Sequence, residues 1–259
     1  MAESSPSKQY HFVLVHGASH GGWCWYKIRT LLQASGHKVT CLDLKCSGID
    51  PTDFNTVFTF AEYNEPLTNF MSSLPSPQKV IVVGHSAGGV SITDVIHKFG
   101  EKIHLAVYVA AVMLKHGYSI SKDEDIKEDG NDDYEYIYGL GEDQPPTGVI
   151  IKPERWRTTL YNRSPIQDYV LASLLLRPAP VRALNDVWFD GGAATESVPR
   201  VFVRTLHDQL MAKEKQDFMI KSWPPSQVFA TQSDHSPFFS TPDELFHILI
   251  EATALIKCD

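Results

Sequence analysis

The stretch VIVVGHSAGGVSITDVI, Val80 to Ile96, constrains this chain more than any other. An unbroken apolar run ends in Gly84-His85-Ser86-Ala87-Gly88, and a helical pattern starts directly behind it. Such a run reads as a strand buried on both faces. A strand that passes into a helix through Gly-x-Ser-x-Gly must turn sharply, and the glycines permit a tight turn with unusual backbone angles. That turn holds the Ser86 hydroxyl clear of the sheet at a helix N-terminus, where free N–H groups and the helix dipole favour developing negative charge. A glycine-rich turn whose serine merely caps the helix is the plainer alternative. The strand before and the helix after favour a nucleophile.

The same alternation runs through the first half of the chain. HFVLVHG and HKVTCLD read as buried strands with a helix from Trp23 to Ser35 between them, ending before Gly36. Phe60, Tyr63, Leu67, Phe70, Met71 and Leu74 share one face of a single helix. KVIVVG is the next strand, Ala87 to Phe99 a helix closed by Gly100, and IHLAVYVAA another strand. Strands alternating with helices argue for a mostly parallel sheet flanked by helices. From Met113 to Pro180 the rhythm fails. SKDEDIKEDGNDDYEY reads as a solvated acidic loop, and KPERWRTTLY and SPIQDYVLASLLLRP as inserted helices, with Ser164 as N-cap and Pro165 at the first helical position. The sheet resumes at PRVFVRT and QVFA, and a last amphipathic helix carries Leu245, Ile248, Leu249, Ala252, Leu255 and Ile256. The expected organisation is one domain over residues 1–259, its core at about 10–112 and 181–259 and a small helical cap inserted at about 113–180.

A serine hydroxyl attacks only if a base takes its proton, so a histidine and an orienting acid must follow Ser86. The chain order Ser, acid, His suits this architecture. His235 stands in the loop between QVFA and the last helix. His247 falls within that helix, and His85, adjacent to Ser86, should point away from it. For the acid, Asp208 leaves the end of PRVFVRT; Asp217 is the runner-up within a helical stretch, and Asp234 is too close in sequence to serve His235. The loop VHGASHGGW after the first strand could aim the backbone N–H of Ala18 at the same point as that of Ala87, forming an oxyanion hole. An ordinary tight turn is the plainer reading of that loop.

Charge excludes several partners. With 23 Lys and Arg against 31 Asp and Glu the formal charge is −8, which repels a phosphate backbone and an anionic membrane surface. The start MAESSPSKQYH is polar, and Phe12 to Val15 is too short for a signal sequence or a membrane span. Cys24, Cys41, Cys46 and Cys258 lack zinc spacing and read as reduced thiols, consistent with a cytoplasmic protein.

HFVLVHGASHGGWCWYKI, GHKVTCLDLKCSGIDP, QKVIVVGHSAGG, SPIQDYVLASLLLRP and SDHSPFFS together resemble the plant methylesterase and hydroxynitrile lyase family of α/β-hydrolases over nearly the whole chain. The resemblance implies an α/β-hydrolase fold, a catalytic triad of Ser86, Asp208 and His235, and oxyanion donors at Ala18 and Ala87. It implies hydrolysis of the methyl ester of a small plant metabolite through an acyl-serine, with no metal or organic cofactor. Gly17, Ser236, Phe238 and Trp156 are the positions expected at the substrate pocket. Lyases of the rubber-tree type in this family carry Thr where Gly17 stands and Lys where Ser236 stands, and Ser236 cannot supply the cation that departing cyanide needs. A decarboxylating relative, methylketone synthase, lacks the nucleophilic serine. A ligand receptor on the same fold is a further alternative. The expected partners are a small-molecule ester and, for assembly, a second copy in a homodimer, with neither nucleic acid nor membrane.

Overall fold

The computed structural model describes residues 8–115, 133–185, 187–189 and 197–256. The N-terminal residues 1–7, residues 116–132 of the acidic run, most of the stretch between Asp186 and Ser197, and Cys258 lie outside the described residues.

β1 (His11–Val15) is followed by a 3-10 turn and α1 (Tyr26–Ala34), and then by β2 (Lys38–Leu42). The single helix expected at Phe60 to Leu74 is two, α2 (Phe60–Tyr63) and α3 (Glu65–Ser73). Pro66 has no N–H for the carbonyl four residues back, so the helix breaks at Asn64. The Asn64 amide is buried there and donates to Asp94 at 2.8 Å. The expected apolar face survives the break, with Tyr63, Leu67 and Met71 buried. β3 (Val80–His85), α4 (Gly88–Phe99) and β4 (Ile103–Val109) follow as the pattern predicts, except that Gly100 keeps a right-handed φ of −54° and leads into a 3-10 turn.

Between β4 and the return to the sheet, the chain forms β5 (Tyr134–Ile137), β6 (Gly148–Ile151), α5 (Pro153–Thr159), α6 (Ile166–Leu175) and β7 (Ala179–Pro180). The two helices were expected; the antiparallel sheet β5-β6-β7 was not, and the end of the acidic run is strand rather than loop. Ser164 does not cap α6, whose N-cap is Pro165; its hydroxyl instead donates to Asp234. α7 (Val181–Asn185), β8 (Arg200–Thr205), α8 (Lys213–Ser222), β9 (Gln227–Thr231), α9 (Pro237–Ser240) and α10 (Pro242–Ala252) complete the described chain.

The main sheet runs β2-β1-β3-β4-β8-β9 and every described pairing in it is parallel. Its central strands are apolar without alternation because both faces are covered. Val13, Val15, Val80 and Val82 join one core layer, while Phe12, Leu14, Ile81 and Val83 join the other. Parallel strands align their C-terminal ends along one edge, which is where a ligand site forms in such sheets. Val15 pairs with Gly84 there, so the loops after β1 and β3 emerge side by side.

Candidate active site

The turn after β3 is strained at the serine itself. Ser86 has φ +51°, in the left-handed region that an L side chain occupies at a cost of about 1–3 kcal/mol. Backbone bonds on both sides hold it there: Ser86 N–H donates to Val109 O at 3.2 Å, and Val112 N–H donates to Ser86 O at 3.0 Å. The glycines serve close approach rather than unusual angles, contrary to the simplest reading of the motif. A Cβ on Gly84 would stand 2.6 Å from Gly88 O, and one on Gly88 2.5 Å from His16 O. Bare backbone at both places lets α4 start directly behind the serine.

β8 and β9 deliver the expected partners to the same edge. Asp208 Oδ2 accepts from His235 Nδ1 at 2.8 Å and from Thr205 Oγ1 at 2.8 Å. Its Oδ1 accepts from the N–H groups of Leu210 and Met211 at 2.9 and 2.8 Å. Both side chains of the Asp208–His235 pair are 1% exposed. Since the carboxylate only accepts, Nδ1 carries the imidazole proton and Nε2 presents its lone pair. The rivals lie elsewhere. Asp217 pairs with Arg204 and Lys213, His247 is exposed with Nδ1 against Asp243 O, and Asp234 is a buried structural carboxylate. Asp234 accepts from Arg163 N–H, Ser164 N–H and Ser164 Oγ on one oxygen, and from Ser236 N–H and Ser240 Oγ on the other.

His85 packs against His235 with ring centroids 4.7 Å apart and donates from Nε2 to His235 O at 2.8 Å. Burial, then the neighbouring His235 and His20, hold its pKa well below the ordinary histidine value. It is therefore a neutral support under His235 rather than a second base.

The loop after β1 brings Ala18 to the cavity that Ser86, Ala87 and His235 also line. Neither Ala18 N–H nor Ala87 N–H has a hydrogen-bond acceptor among the described residues. Around them the loop is held by histidines. His16 Nδ1 donates to Gly17 O at 2.8 Å while its Nε2 accepts from Leu44 N–H at 3.0 Å. His20 Nδ1 donates to Ala18 O at 2.9 Å, and Tyr161 from the inserted segment lies 2.7 Å from its Nε2. Burial pushes the His20 pKa down to about 3, so the ring stays neutral.

The cavity measures about 360 Å³, a volume suited to a small organic ligand. Its wall is mainly aliphatic, with Val149, Ile151 and Leu160 from the inserted segment and Leu210, Met211 and Met219 from around α8. Of the four positions expected at the pocket, Trp156 reaches the wall. Gly17 lies beneath it against Ser86 and His85, too near both for a side chain to project. Ser236 is fully buried with its N–H tied to Asp234, and Phe238 packs behind His85 and Trp25 at 4.9 and 5.2 Å between ring centroids. Neither residue lines the cavity, because the turn into α9 directs them into the core. His20, Tyr161 and Lys215 escaped the sequence reading. The repeat of histidines in HGASH signalled the first, and the spacing Met211, Lys215, Met219 signalled the last.

No group of His, Cys, Asp and Glu among the described residues is arranged to hold a metal ion, and no described helix is long and apolar enough to cross a membrane. The arrangement brings a serine, a carboxylate-bound imidazole and two N–H groups without acceptors among the described residues to one cavity with a mainly aliphatic wall.

Residues 12–248 match the Alpha/beta hydrolase family. Methylesterase 17 of Arabidopsis thaliana is 49% identical, over 98% of this chain and 95% of its own. Pheophorbidase of Raphanus sativus is also 49% identical, over 95% of each chain. The crystal structure of the Arabidopsis methylesterase protein MES16 superposes with a TM-score of 0.87 at 47% identity, covering 95% of this chain and 99% of that one. With elbow, sheet order and relatives in agreement, the chain belongs to the alpha/beta hydrolase family, in the group that holds these plant methylesterases.

Proposed function

We propose that Ser86, Asp208 and His235 form a catalytic triad that hydrolyses the carboxylic methyl ester of a small plant metabolite. The enzyme is a methylesterase-type serine hydrolase. The observation that carries the reading is the buried Asp208–His235 bond of 2.8 Å beside a cavity that the strained Ser86 also lines. His235 Nε2 takes the Ser86 proton as Oγ attacks the ester carbonyl, and Asp208 offsets the imidazolium that results. The N–H groups of Ala18 and Ala87 receive the tetrahedral oxyanion. The imidazolium then protonates the departing methoxide, methanol leaves, and the acyl group stays on Ser86. Water, deprotonated by His235, attacks that acyl-enzyme, and the free acid departs with the serine restored.

The described residues of the stretch from about 113 to 180 act in this proposal as a cap, with Trp156 and Leu160 over the acyl chain. Residence in the cytoplasm belongs to the same proposal and is supported by the free thiols of Cys24, Cys41 and Cys46. A homodimer is supported by Ile166, Val170 and Leu174, an exposed apolar stripe along α6, and sizing by light scattering tests it.

The test of function is methanol release from a panel of methyl esters by the wild-type protein and by Ser86→Ala. The expected variant is folded, binds ester, and has lost several orders of magnitude in kcat, as when a triad member is removed. Near-normal turnover by Ser86→Ala would remove the serine from the mechanism.

A further inference from the structure

Met211, Lys215 and Met219 stand four residues apart and all three line the cavity. Residues i and i+4 share one face of a helix, so Lys215 leaves α8 on the same side as the buried Met219, while Met211 lines that wall from just before the helix. Its neighbour Lys213 points outward and pairs with Asp217. Lys215 is half-buried, and it makes no hydrogen bond or ion pair among the described residues. None of the described residues lining the cavity is Asp or Glu. Two of its lining histidines, His20 and His85, are neutral through burial, and they add no compensating charge of either sign. Lys215 therefore brings a cation to a wall whose described residues carry no carboxylate to offset it, and a ligand's anion would complete the pair.

We propose that Lys215 is an anion-binding subsite, and that the substrate is a half-ester carrying a free carboxylate besides the methyl ester that Ser86 attacks. The inference rests on the methylesterase reading for the ester end and on Lys215 alone for the acid end. The aliphatic wall from Leu210, Met211 and Met219 would cover the carbon skeleton joining the two. A charge-assisted hydrogen bond from the ammonium to that carboxylate fixes the substrate's orientation, ester toward the elbow and acid toward α8. Such a contact shifts selectivity by about tenfold or more.

The experiment measures kcat/KM for monomethyl esters of linear dicarboxylic acids, from succinate to sebacate, each paired with the methyl ester of the monocarboxylic acid of equal chain length. The wild-type ratio of half-ester to neutral ester should peak at one chain length. Lys215→Met should lower that peak ratio by about tenfold or more, and Lys215→Arg should keep most of it. Equal ratios in wild type and Lys215→Met at every length overturn the subsite. The same pairs titrated calorimetrically into Ser86→Ala, with and without Lys215→Met, read the subsite without chemistry. A half-ester preference that disappears with Lys215→Met supports the subsite even if the wild type releases no methanol, an outcome that would count against the methylesterase reading alone. No preference in that titration overturns the subsite even if the hydrolysis stands.

Discussion

The Tyr161 hydroxyl lies 2.7 Å from His20 Nε2, and Nδ1 of the same ring lies 2.9 Å from Ala18 O. A carbonyl only accepts, so Nδ1 is the protonated nitrogen and Nε2 must accept from Tyr161. Burial, with Cys24 and Asp234 nearby, holds the Tyr161 hydroxyl well above the usual tyrosine range and keeps it a donor. The inserted segment and the loop after β1 are thereby joined through a neutral ring. One residue earlier, His16 Nδ1 pins Gly17 O. That carbonyl and Ala18 N–H belong to one planar trans peptide and point opposite ways, so holding the oxygen toward His16 fixes the direction of the N–H.

Tyr161→Phe should therefore act on the transition state more than on substrate binding. Removing the donor leaves His20 Nε2 buried and unpaired, which costs about 1–3 kcal/mol of stability. It also loosens Ala18, so kcat should fall while KM changes little. Steady-state kinetics on a methyl ester, with urea unfolding alongside, make the check. A raised KM with kcat intact would place Tyr161 in substrate binding instead.

Stability should fall steeply on mild acidification. Burial holds His20 at about 3 and His11 at about 4, and keeps His16 and His85 below the ordinary value of 6.5. Unfolded, these rings take up protons below about pH 6.5, whereas folded they do not until far lower. The unfolded state thus binds more protons in that window, so stability rises with pH through it and is lost as pH falls from about 6.5 toward 4. Each ring contributes a slope of up to about 1.4 kcal/mol per pH unit. Urea midpoints measured between pH 7 and pH 4.5 should drop continuously; a flat profile would contradict the neutral buried histidines.

The parts legible in the sequence were those with local causes. The elbow, the strand runs and the positions of Asp208 and His235 just past a strand each follow from a pattern confined to a few residues, and the structure places the last two 2.8 Å apart across 27 positions. Pro66 was visible too, yet the periodicity of Phe60 to Leu74 concealed the break it imposes. The antiparallel strands β5 and β6 are four residues each; β5 carries an exposed charge and β6 offers only the brief apolar run Val149 to Ile151, too short to separate strand from helix by periodicity. Ser236 and Phe238 were placed at the pocket by their nearness to His235, but the direction of a side chain after a tight turn is set by backbone angles that spacing does not encode. The bond from Tyr161 to His20 joins residues 141 apart, and nothing local to either predicts it.

Asp208→Asn should be far more damaging than Asp217→Asn. The amide can turn its NH₂ toward Nδ1, imposing the wrong tautomer and leaving the imidazolium without an opposing charge, a loss of about 10⁴ in kcat for the protease template. Asp217 is half-exposed on α8 and pairs with Arg204 and Lys213, so its loss should change kcat little. Comparable losses for the two variants would show the wrong acid assigned.

Asp234→Ala should destabilise the fold and loosen the His235 loop. The carboxylate accepts from groups on both the inserted segment and the α9 turn, and the substitution strands their buried donors together. A loss of more than about 3 kcal/mol in urea unfolding is expected. A change under about 0.5 kcal/mol, the range of ordinary surface substitutions, would contradict that structural role.

Gly17→Ala should remove most of the activity although it adds one carbon. The new Cβ would stand 2.9 Å from Ser86 Cβ, 3.0 Å from His85 Nδ1 and 3.2 Å from His85 O. Backbone and a buried ring cannot yield by much, so the loop must lift, carrying Ala18 N–H away from the oxyanion position proposed for it. Loss of one such donor lowers kcat by about 10²–10³. For the same reason Gly17→Thr with Ser236→Lys should not create a cyanohydrin lyase here. The threonine has no room, and position 236 is buried away from the cavity wall, so a lysine there could not face departing cyanide. Methanol release from a methyl ester by Gly17→Ala and cyanide release from mandelonitrile by the double variant test both statements. Wild-type kcat in the first would show that the loop accommodates a side chain, and cyanide release in the second would show that position 236 can reach the ligand.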